Sequence, residues 1–368
     1  MSKARDLANF SDVAPDIGRK NLIINGAMQV AQRGTSASGL TNGSTGYHTV
    51  DRFRYSEAGA TTSQLTMSQD SDAPNGFGQS LKFAVTTTGS AAADDIVRCQ
   101  TILEGQDLQG LAFGSADAKN ITLSFWVKSS LTGTYSFYIY ATDGNRVIGS
   151  TYTINSANTW EYKTITFPGD TAQAIANDNT ASFYLGFVLS AGSNQTATDN
   201  TSWDAISNLS VAYGHAVDFC NTASATWQIT GVQLEVGSVA TPFEHRSYGE
   251  ELALCQRYFY EFTDVNDGSE DVGIASCYNT NQLELAIQFP VQMRSTPSYT
   301  RVSTGTNFYA YGNNGNDGFA GFTSMGAASK NRCMIYTETA DGFAGNTGQA
   351  RRVRKQDSAA RINFDAEL

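Results

Sequence analysis

Charge is scarce in this chain. Only 16% of its 368 residues are Asp, Glu, Lys or Arg, against about 25% in an average globular protein. What charge there is leans acidic, for a net of −11. A field of that sign does not gather nucleic acid or an acidic membrane surface. Histidine is nearly absent, at three residues. There is no phosphate-binding G-x-x-x-x-G-K-S/T, no H-E-x-x-H and no G-x-S-x-G elbow. No apolar run is long enough to cross a bilayer as a helix. The opening Met1-Ser2-Lys3-Ala4-Arg5-Asp6 leads into no leader-like apolar stretch, so no secretory signal is expected. The five cysteines, Cys99, Cys220, Cys255, Cys277 and Cys333, are odd in number and form no C-x-x-C. They read as reduced thiols buried as small hydrophobes, as in a chain made in a reducing cytoplasm.

What is present in quantity is aromatic, small and turn-forming. Aromatics make up 11% of the chain, and there are 34 glycines among frequent Thr, Ser and Asn. From Asn21 to about Glu244 the apolar period is two. Ile121, Leu123, Phe125 and Val127 alternate with polar neighbours, as do Tyr135, Phe137 and Ile139. Leu81-x-Phe83-x-Val85, Ile165-x-Phe167 and Phe183-x-Leu185-x-Phe187-x-Leu189 repeat the pattern. Alternation of this kind puts one side of each strand in a core. Turn signals between the runs, such as Asp143-Gly144-Asn145, point to short antiparallel strands in a sandwich or jelly roll. After Trp227 and Ile229 the apolar parity switches to Val232, Leu234 and Val236, which predicts a bulge at Gly231.

The expected organisation is all-β. A connector over residues 1–20, with a short helix around Ala4–Phe10, precedes a jelly-roll sandwich over 21–246. A linking helix over 247–260 follows, opened by the capping box Ser247-x-x-Glu250. A second, smaller β-sandwich spans 261–368, where Leu283, Leu285, Ile287 and Phe289 alternate and Arg361 to Phe364 forms a closing strand. Tyr248, Leu252, Cys255 and Phe259 recur at helical spacing. That stripe either joins copies of the chain around a symmetry axis or packs on its own sandwich.

Catalytic residues are not expected. Asp94, Asp95, Glu104, Asp107, Asp204 and Asp218 supply carboxylates for glycoside cleavage, but nothing pairs them across a sugar-sized cleft. His48, His215 and His245 have no triad-like surroundings. Asp264-Val265-Asn266-Asp267-Gly268 and Asn316-Asp317-Gly318 offer hard oxygens to calcium, without EF-hand spacing. Turn formation is the favoured explanation for both, so no metal or other cofactor is assigned. Trp126, Tyr138 and Tyr140 fall on the outward parity of their strands, and Tyr309 and Tyr311 flank a Gly/Asn loop. Exposed rings cover the apolar faces of sugars, which makes these five the candidates for ligand contact. The basic run Arg351-Arg352-Val353-Arg354-Lys355 either meets a phosphate-bearing surface or pairs with acidic groups of the chain itself.

Two blocks carry a resemblance. Asn21-Leu22-Ile23-Ile24-Asn25-Gly26-Ala27-Met28-Gln29-Val30-Ala31-Gln32-Arg33-Gly34 and Thr49-Val50-Asp51-Arg52-Phe53 form the first. The second joins Ile229-Thr230-Gly231-Val232-Gln233-Leu234-Glu235-Val236-Gly237, Ala240-Thr241-Pro242-Phe243-Glu244-His245-Arg246 and Cys255-Gln256-Arg257-Tyr258-Phe259. Together they resemble the module of bacteriophage tail-fibre and virion structural proteins over about Asn21 to Tyr260. The resemblance implies a jelly roll akin to carbohydrate-binding modules, a homotrimer, and a place on the virion, with the N-terminal segment bound to other tail or capsid proteins. Attachment to a host-surface glycan is the function it suggests. A capsid fibre or tail adaptor without receptor binding is the alternative, and a tailspike-like polysaccharide-degrading enzyme the second.

Overall fold

The computed structural model describes residues 19–206, 210–263, 268–302, 307–312, 315–357 and 360–368. The helix expected around Ala4–Phe10, nearly all of the N-terminal connector and Asp264–Asp267 lie outside the described residues. The chain divides between Tyr248 and Gly249 into two compact units.

The first unit is an antiparallel jelly-roll sandwich. Its strands are β1 (Ser36–Leu40), β2 (Arg54–Ala58), β3 (Gln64–Asp70), β4 (Ser80–Thr87), β5 (Ile96–Glu104), β6 (Ile121–Ser129), β7 (Gly133–Ala141), β8 (Arg146–Ile154), β9 (Glu161–Phe167), β10 (Ala181–Ala191), β11 (Asp204–Ala205) and β12 (Thr226–Val236). One sheet has the order β1-β3-β4-β12-β6-β9 and the other β11-β8-β7-β10-β5-β2. The alternating apolar residues face each other between the sheets. Phe125 of β6 packs edge-on against Phe187 of β10 at 5.1 Å and against Tyr152 of β8 at 5.1 Å. Trp227 of β12 reaches Phe187 at 5.9 Å. Each such ring contributes about 1.5–3 kcal/mol by leaving water, and favourable pair geometry adds about 0.5–1.5 kcal/mol.

The Gly231 bulge is present. The β12–β6 register shifts between Thr230 and Gln233, and Gly231 has φ +61°. A Cβ there would sit 2.6 Å from Cζ of Phe77. Glycine therefore meets both demands of the position, a left-handed backbone and a ring overhead. The bulge keeps Trp227, Ile229, Val232 and Leu234 all buried.

A polar clasp fixes β12 against the start of the described chain. Leu22 N donates to Leu234 O at 2.9 Å, and Val232 N donates to Gly26 O at 2.9 Å. Gly26 is required, because a Cβ would lie 2.1 Å from Val232 O. The Asn21 amide donates to Val232 O (3.0 Å) and accepts from Ile23 N (3.0 Å) and Leu234 N (3.1 Å). Downstream, Glu244 accepts from Asn21 N at 2.8 Å, and Arg246 donates to Asn21 O at 2.6 Å. Glu235 accepts from Gln233 Nε2 (2.9 Å) and from Thr241 Oγ1 (2.7 Å). Residues 21–26 and 232–246 of the two blocks are thus joined by one set of hydrogen bonds.

The second unit is smaller. It begins with helix α1 (Tyr248–Gln256) and holds β13 (Phe259–Glu261), β14 (Asp271–Cys277), β15 (Leu283–Gln288), β16 (Ser298–Val302), β17 (Phe308–Gly312), β18 (Gly315–Phe319), β19 (Ser324–Gly326), β20 (Arg332–Tyr336), β21 (Ala350–Lys355) and β22 (Arg361–Asp365). A three-stranded sheet, β13-β22-β16, and a seven-stranded sheet, β18-β17-β21-β14-β15-β20-β19, share a core that includes Leu285, Phe289, Phe319 and Phe364. The expected four-residue helical stripe is shorter than the spacing suggested. The helix stops at Gln256, Tyr258 N closes a turn on Cys255 O at 2.9 Å, and Phe259 pairs with Asp365 in a sheet. Tyr248 is exposed, Leu252 half-buried and Cys255 buried. Strand pairing with β22 outcompetes another turn of helix.

Replacing Asn21 with Ala leaves Ile23 N, Leu234 N and Val232 O without their side-chain partner. The expected cost is about 3 kcal/mol or more, at about 1–3 kcal/mol per stranded buried group, read by urea denaturation. A cost below about 1 kcal/mol would show that the clasp is incidental.

Candidate functional site

The outward side of the β11-β8-β7-β10-β5-β2 sheet carries a dense polar-aromatic array. Antiparallel register sets one row directly: Gly149 on β8, Tyr138 on β7, Gly186 on β10, Gln100 on β5 and Arg54 on β2. The adjacent row brings Tyr140 of β7 opposite Tyr184 of β10. Beyond the first row, Arg98 of β5 stands opposite Ser56 of β2.

Gly186 makes the first row possible. A Cβ there would lie 2.2 Å from Cε1 of Tyr138 and 2.7 Å from its hydroxyl. Without one, the Tyr138 ring lies across the backbone of β10, and its hydroxyl accepts from Gln100 Nε2 at 2.5 Å. Gln100 Oε1 in turn accepts from Nε (3.1 Å) and Nη2 (2.9 Å) of Arg54. The Arg54 guanidinium lies over the Tyr184 ring at 5.3 Å, and that of Arg98 over Tyr138 at 5.8 Å. Tyr140 and Tyr184 sit 6.1 Å apart, tilted by 43°. Burial, with a smaller contribution from Tyr184, raises the pKa of the Tyr140 hydroxyl. It remains a neutral donor, here to Asn145 Oδ1 at 2.8 Å.

The connection from β10 to β12 covers part of this face. Val211, Ala212 and Ile206 pack on Ile96, Tyr138, Val147 and Val188. The connection is held by Gly149 N to Asn200 O (2.6 Å), Ala216 N to Thr134 O (2.9 Å) and Ser136 N to His215 Nδ1 (3.1 Å). What stays open is a cavity of about 160 Å³ lined by Arg54, Arg98, Gln100, Tyr138, Tyr140, Tyr184, Gln195 and a few apolar side chains. That is below the roughly 300 Å³ at which drug-sized sites begin, so it suits one small ring or group rather than a buried chain. Gln195 is itself buried. Its Nε2 donates to Asp94 O at 2.9 Å, while its Oε1 has no hydrogen-bond partner among the described residues. A buried amide oxygen in that state costs about 1–3 kcal/mol until a donor reaches it.

The five sequence candidates are not one site. Tyr138 and Tyr140 belong to the array, but Tyr138 is only 2% exposed. Its strand parity was legible, whereas the loop that covers it was not. Trp126 is half-buried on the other sheet, against Tyr162 at 5.3 Å. Tyr309 and Tyr311 neighbour each other at 6.4 Å in the second unit. Sequence reading missed Tyr184, Arg54, Arg98, Gln100 and Gln195. The first was visible in Phe183-Tyr184-Leu185, where a phenol alternates with core residues.

The carboxylates considered for hydrolysis have local partners. Asp95 accepts from Ala60 N (2.8 Å) and Ala92 N (3.0 Å), Glu104 from Gln106 (2.7 Å), Asp94 from Asn194 (2.7 Å) and Asp218 from Ser190 (2.9 Å). Asp204 bonds the next backbone N–H, and Asp107 lies 3.8 Å from Arg19. Among the described residues there is no cluster of three metal-ligating side chains. Asp317 instead pairs with Arg351 at 3.4 Å. Three of the four basic residues of β21 pair with acids: besides Arg351, Arg352 meets Asp271 at 3.3 Å and Lys355 meets Glu270 at 4.0 Å. All five cysteines are buried free thiols. Burial raises the pKa of Cys220 to about 11 and that of Cys333 to about 12.

No family model and no curated protein matches the chain. Among solved structures it is similar to the enzymatically active domain of tailspike protein 4 from bacteriophage CBA120, at 13% identity and TM-score 0.31 over 59% of this chain. The match spans 21% of the tailspike chain, about a fifth of its length. It is also similar to a family 11 carbohydrate-binding module from Clostridium thermocellum in complex with a β-1,3-1,4-mixed-linked tetrasaccharide, at 12% identity and TM-score 0.28, covering 56% of this chain and 98% of that one. A third is TmCBM61 in complex with β-1,4-galactotriose, at 7% identity and TM-score 0.28, covering 59% and 99%.

Two outcomes are expected at this face. Gly186→Ala forces Tyr138 off β10 and breaks its bond to Gln100, at about 1–3 kcal/mol for an overpacked site; an unchanged urea midpoint would contradict the packing. His215 is held neutral because burial lowers its pKa below the ordinary imidazole value of about 6.5. The unfolded chain therefore binds the extra proton first, and stability is full above about pH 6.5 and falls as pH drops below it. His215→Gln should flatten that part of the thermal-stability profile. An equally steep profile in the variant would assign the loss to other groups.

Proposed function

We propose that this chain is a non-enzymatic structural protein of a bacteriophage particle, a tail-fibre subunit whose jelly roll grips a host-surface glycan. The observation that carries the binding half is the array itself. Three tyrosine rings, two guanidiniums and two amide side chains converge on one small cavity on the outer side of a rigid sheet. Rings cover the apolar face of a sugar, and the planar donors and acceptors fix its hydroxyls. The virion half rests on the resemblance carried by residues 21–34, 49–53, 229–237, 240–246 and 255–259. The same resemblance supports a homotrimer, with the N-terminal segment attached to other tail or capsid proteins.

Presentation of the full chain to a glycan array and to host cells tests the reading. Binding is expected, and Tyr184→Ala should weaken it tenfold or more, as for an aromatic anchor, with the unfolding midpoint unchanged. Absence of binding to every glycan and cell would favour an adaptor or capsid-decorating role. Release of reducing sugar from host polysaccharide would favour an enzyme. A monomeric mass by light scattering would remove the trimer.

A further inference from the structure

We infer that the preferred ligand of this face is an anionic sugar, a pyranose bearing a carboxylate, bound through Arg54 and Arg98. The inference rests on the glycan-binding reading above and names its chemical class.

The cavity lining contains two arginines and no carboxylate. Among the described residues neither Arg54 nor Arg98 forms an ion pair, although most other cations of this sandwich do so: Arg146 with Asp170 at 2.6 Å, Lys82 with Asp70 at 2.8 Å and Arg246 with Glu244 at 2.9 Å are examples. In a chain with eleven surplus negative charges, two unpaired guanidiniums on one half-buried face are out of proportion. Their register makes them neighbours. Arg54 stands opposite Gln100, two residues along β5 from Arg98, a diagonal separation of about 7–8 Å. Two cations on adjacent strands of one face favour an anionic group bound there.

The donors are also available. Arg54 spends Nε and Nη2 on the neutral Gln100. Arg98 spends only Nε, on Ser56 Oγ at 3.2 Å. Both terminal amino groups of Arg98 and one of Arg54 make no hydrogen bond to described residues. A guanidinium end of that kind accepts a planar carboxylate in a two-point, charge-assisted pair. The rings beneath the guanidiniums hold them in place by cation–π contact. Tyr140 and Tyr184 then meet the ring of the sugar, and Oε1 of the buried Gln195, which has no partner among the described residues, takes one of its hydroxyls.

The test is a titration of the full chain with uronic-acid and sialic-acid oligosaccharides, the same oligosaccharides after carboxyl reduction to the neutral sugars, and phosphorylated oligosaccharides. Tighter binding of at least one carboxylated member than of its reduced form, by tenfold or more, is expected. Arg98→Met should abolish that preference while retaining the weaker neutral binding. Equal binding of acidic and reduced forms overturns the inference and leaves the glycan reading standing. Binding only of phosphorylated members also overturns it, in favour of a phosphate-bearing sugar. Binding of none of the sugars overturns both. Because the acidic and reduced forms are compared on the unmodified chain, the result does not depend on whether a variant folds.

Discussion

Alternation at every second residue commits one side of each strand in the sandwich to a shared aromatic core, and the rest of the unit follows from that commitment. Phe125, Phe187 and Trp227 interlock between the sheets, which fixes the register of β6, β10 and β12. Once the inner residues are fixed, the outer ones have no freedom of position either. Tyr138, Tyr140, Tyr184, Gln100 and Arg54 come together because their neighbours at the next position are buried. The site is a consequence of the core, displayed on the other side of the same strands.

Two places needed something the alternation does not supply. The sandwich must be closed at β12, where the bulge at Gly231 and the Asn21–Glu244–Arg246 clasp satisfy backbone groups that would otherwise be buried unpaired. The outer face of the second sheet is too apolar along Ile96 and Val188 to meet water unaided. The β10–β12 connection covers that stretch with Val211 and Ala212 and stops short of the arginines. The boundary between the covered and uncovered parts is the cavity.

The sequence made the fold class legible, because inner-face residues such as Phe83, Phe137 and Leu185 recur with period two and all prove buried. Gly231 was legible as well, through a switch of parity that only a bulge reconciles. The site was legible in part. Parity placed Tyr138 and Tyr140 outward, but strand order decides which outward faces coincide, and no local pattern encodes it. Trp126 has the same parity as Tyr138 and lies on the opposite sheet. Arg54, Arg98 and Gln100 come from strands whose pairing spans some 45 residues of sequence. Gly186, which lets Tyr138 cross β10, looks like an ordinary strand interruption until its neighbour is known. The helix end failed for a related reason: Phe259 continues the helical spacing, but a distant strand, β22, claims it.

The account is tested most directly by a crystal structure of the full chain with an oligosaccharide it binds. It predicts sugar density over Tyr140 and Tyr184, with an oxygen of the ligand within hydrogen-bond reach of Arg98 and another near Oε1 of Gln195. Density instead against Trp126 and Tyr162, or beside Tyr309 and Tyr311 in the second unit, would contradict it.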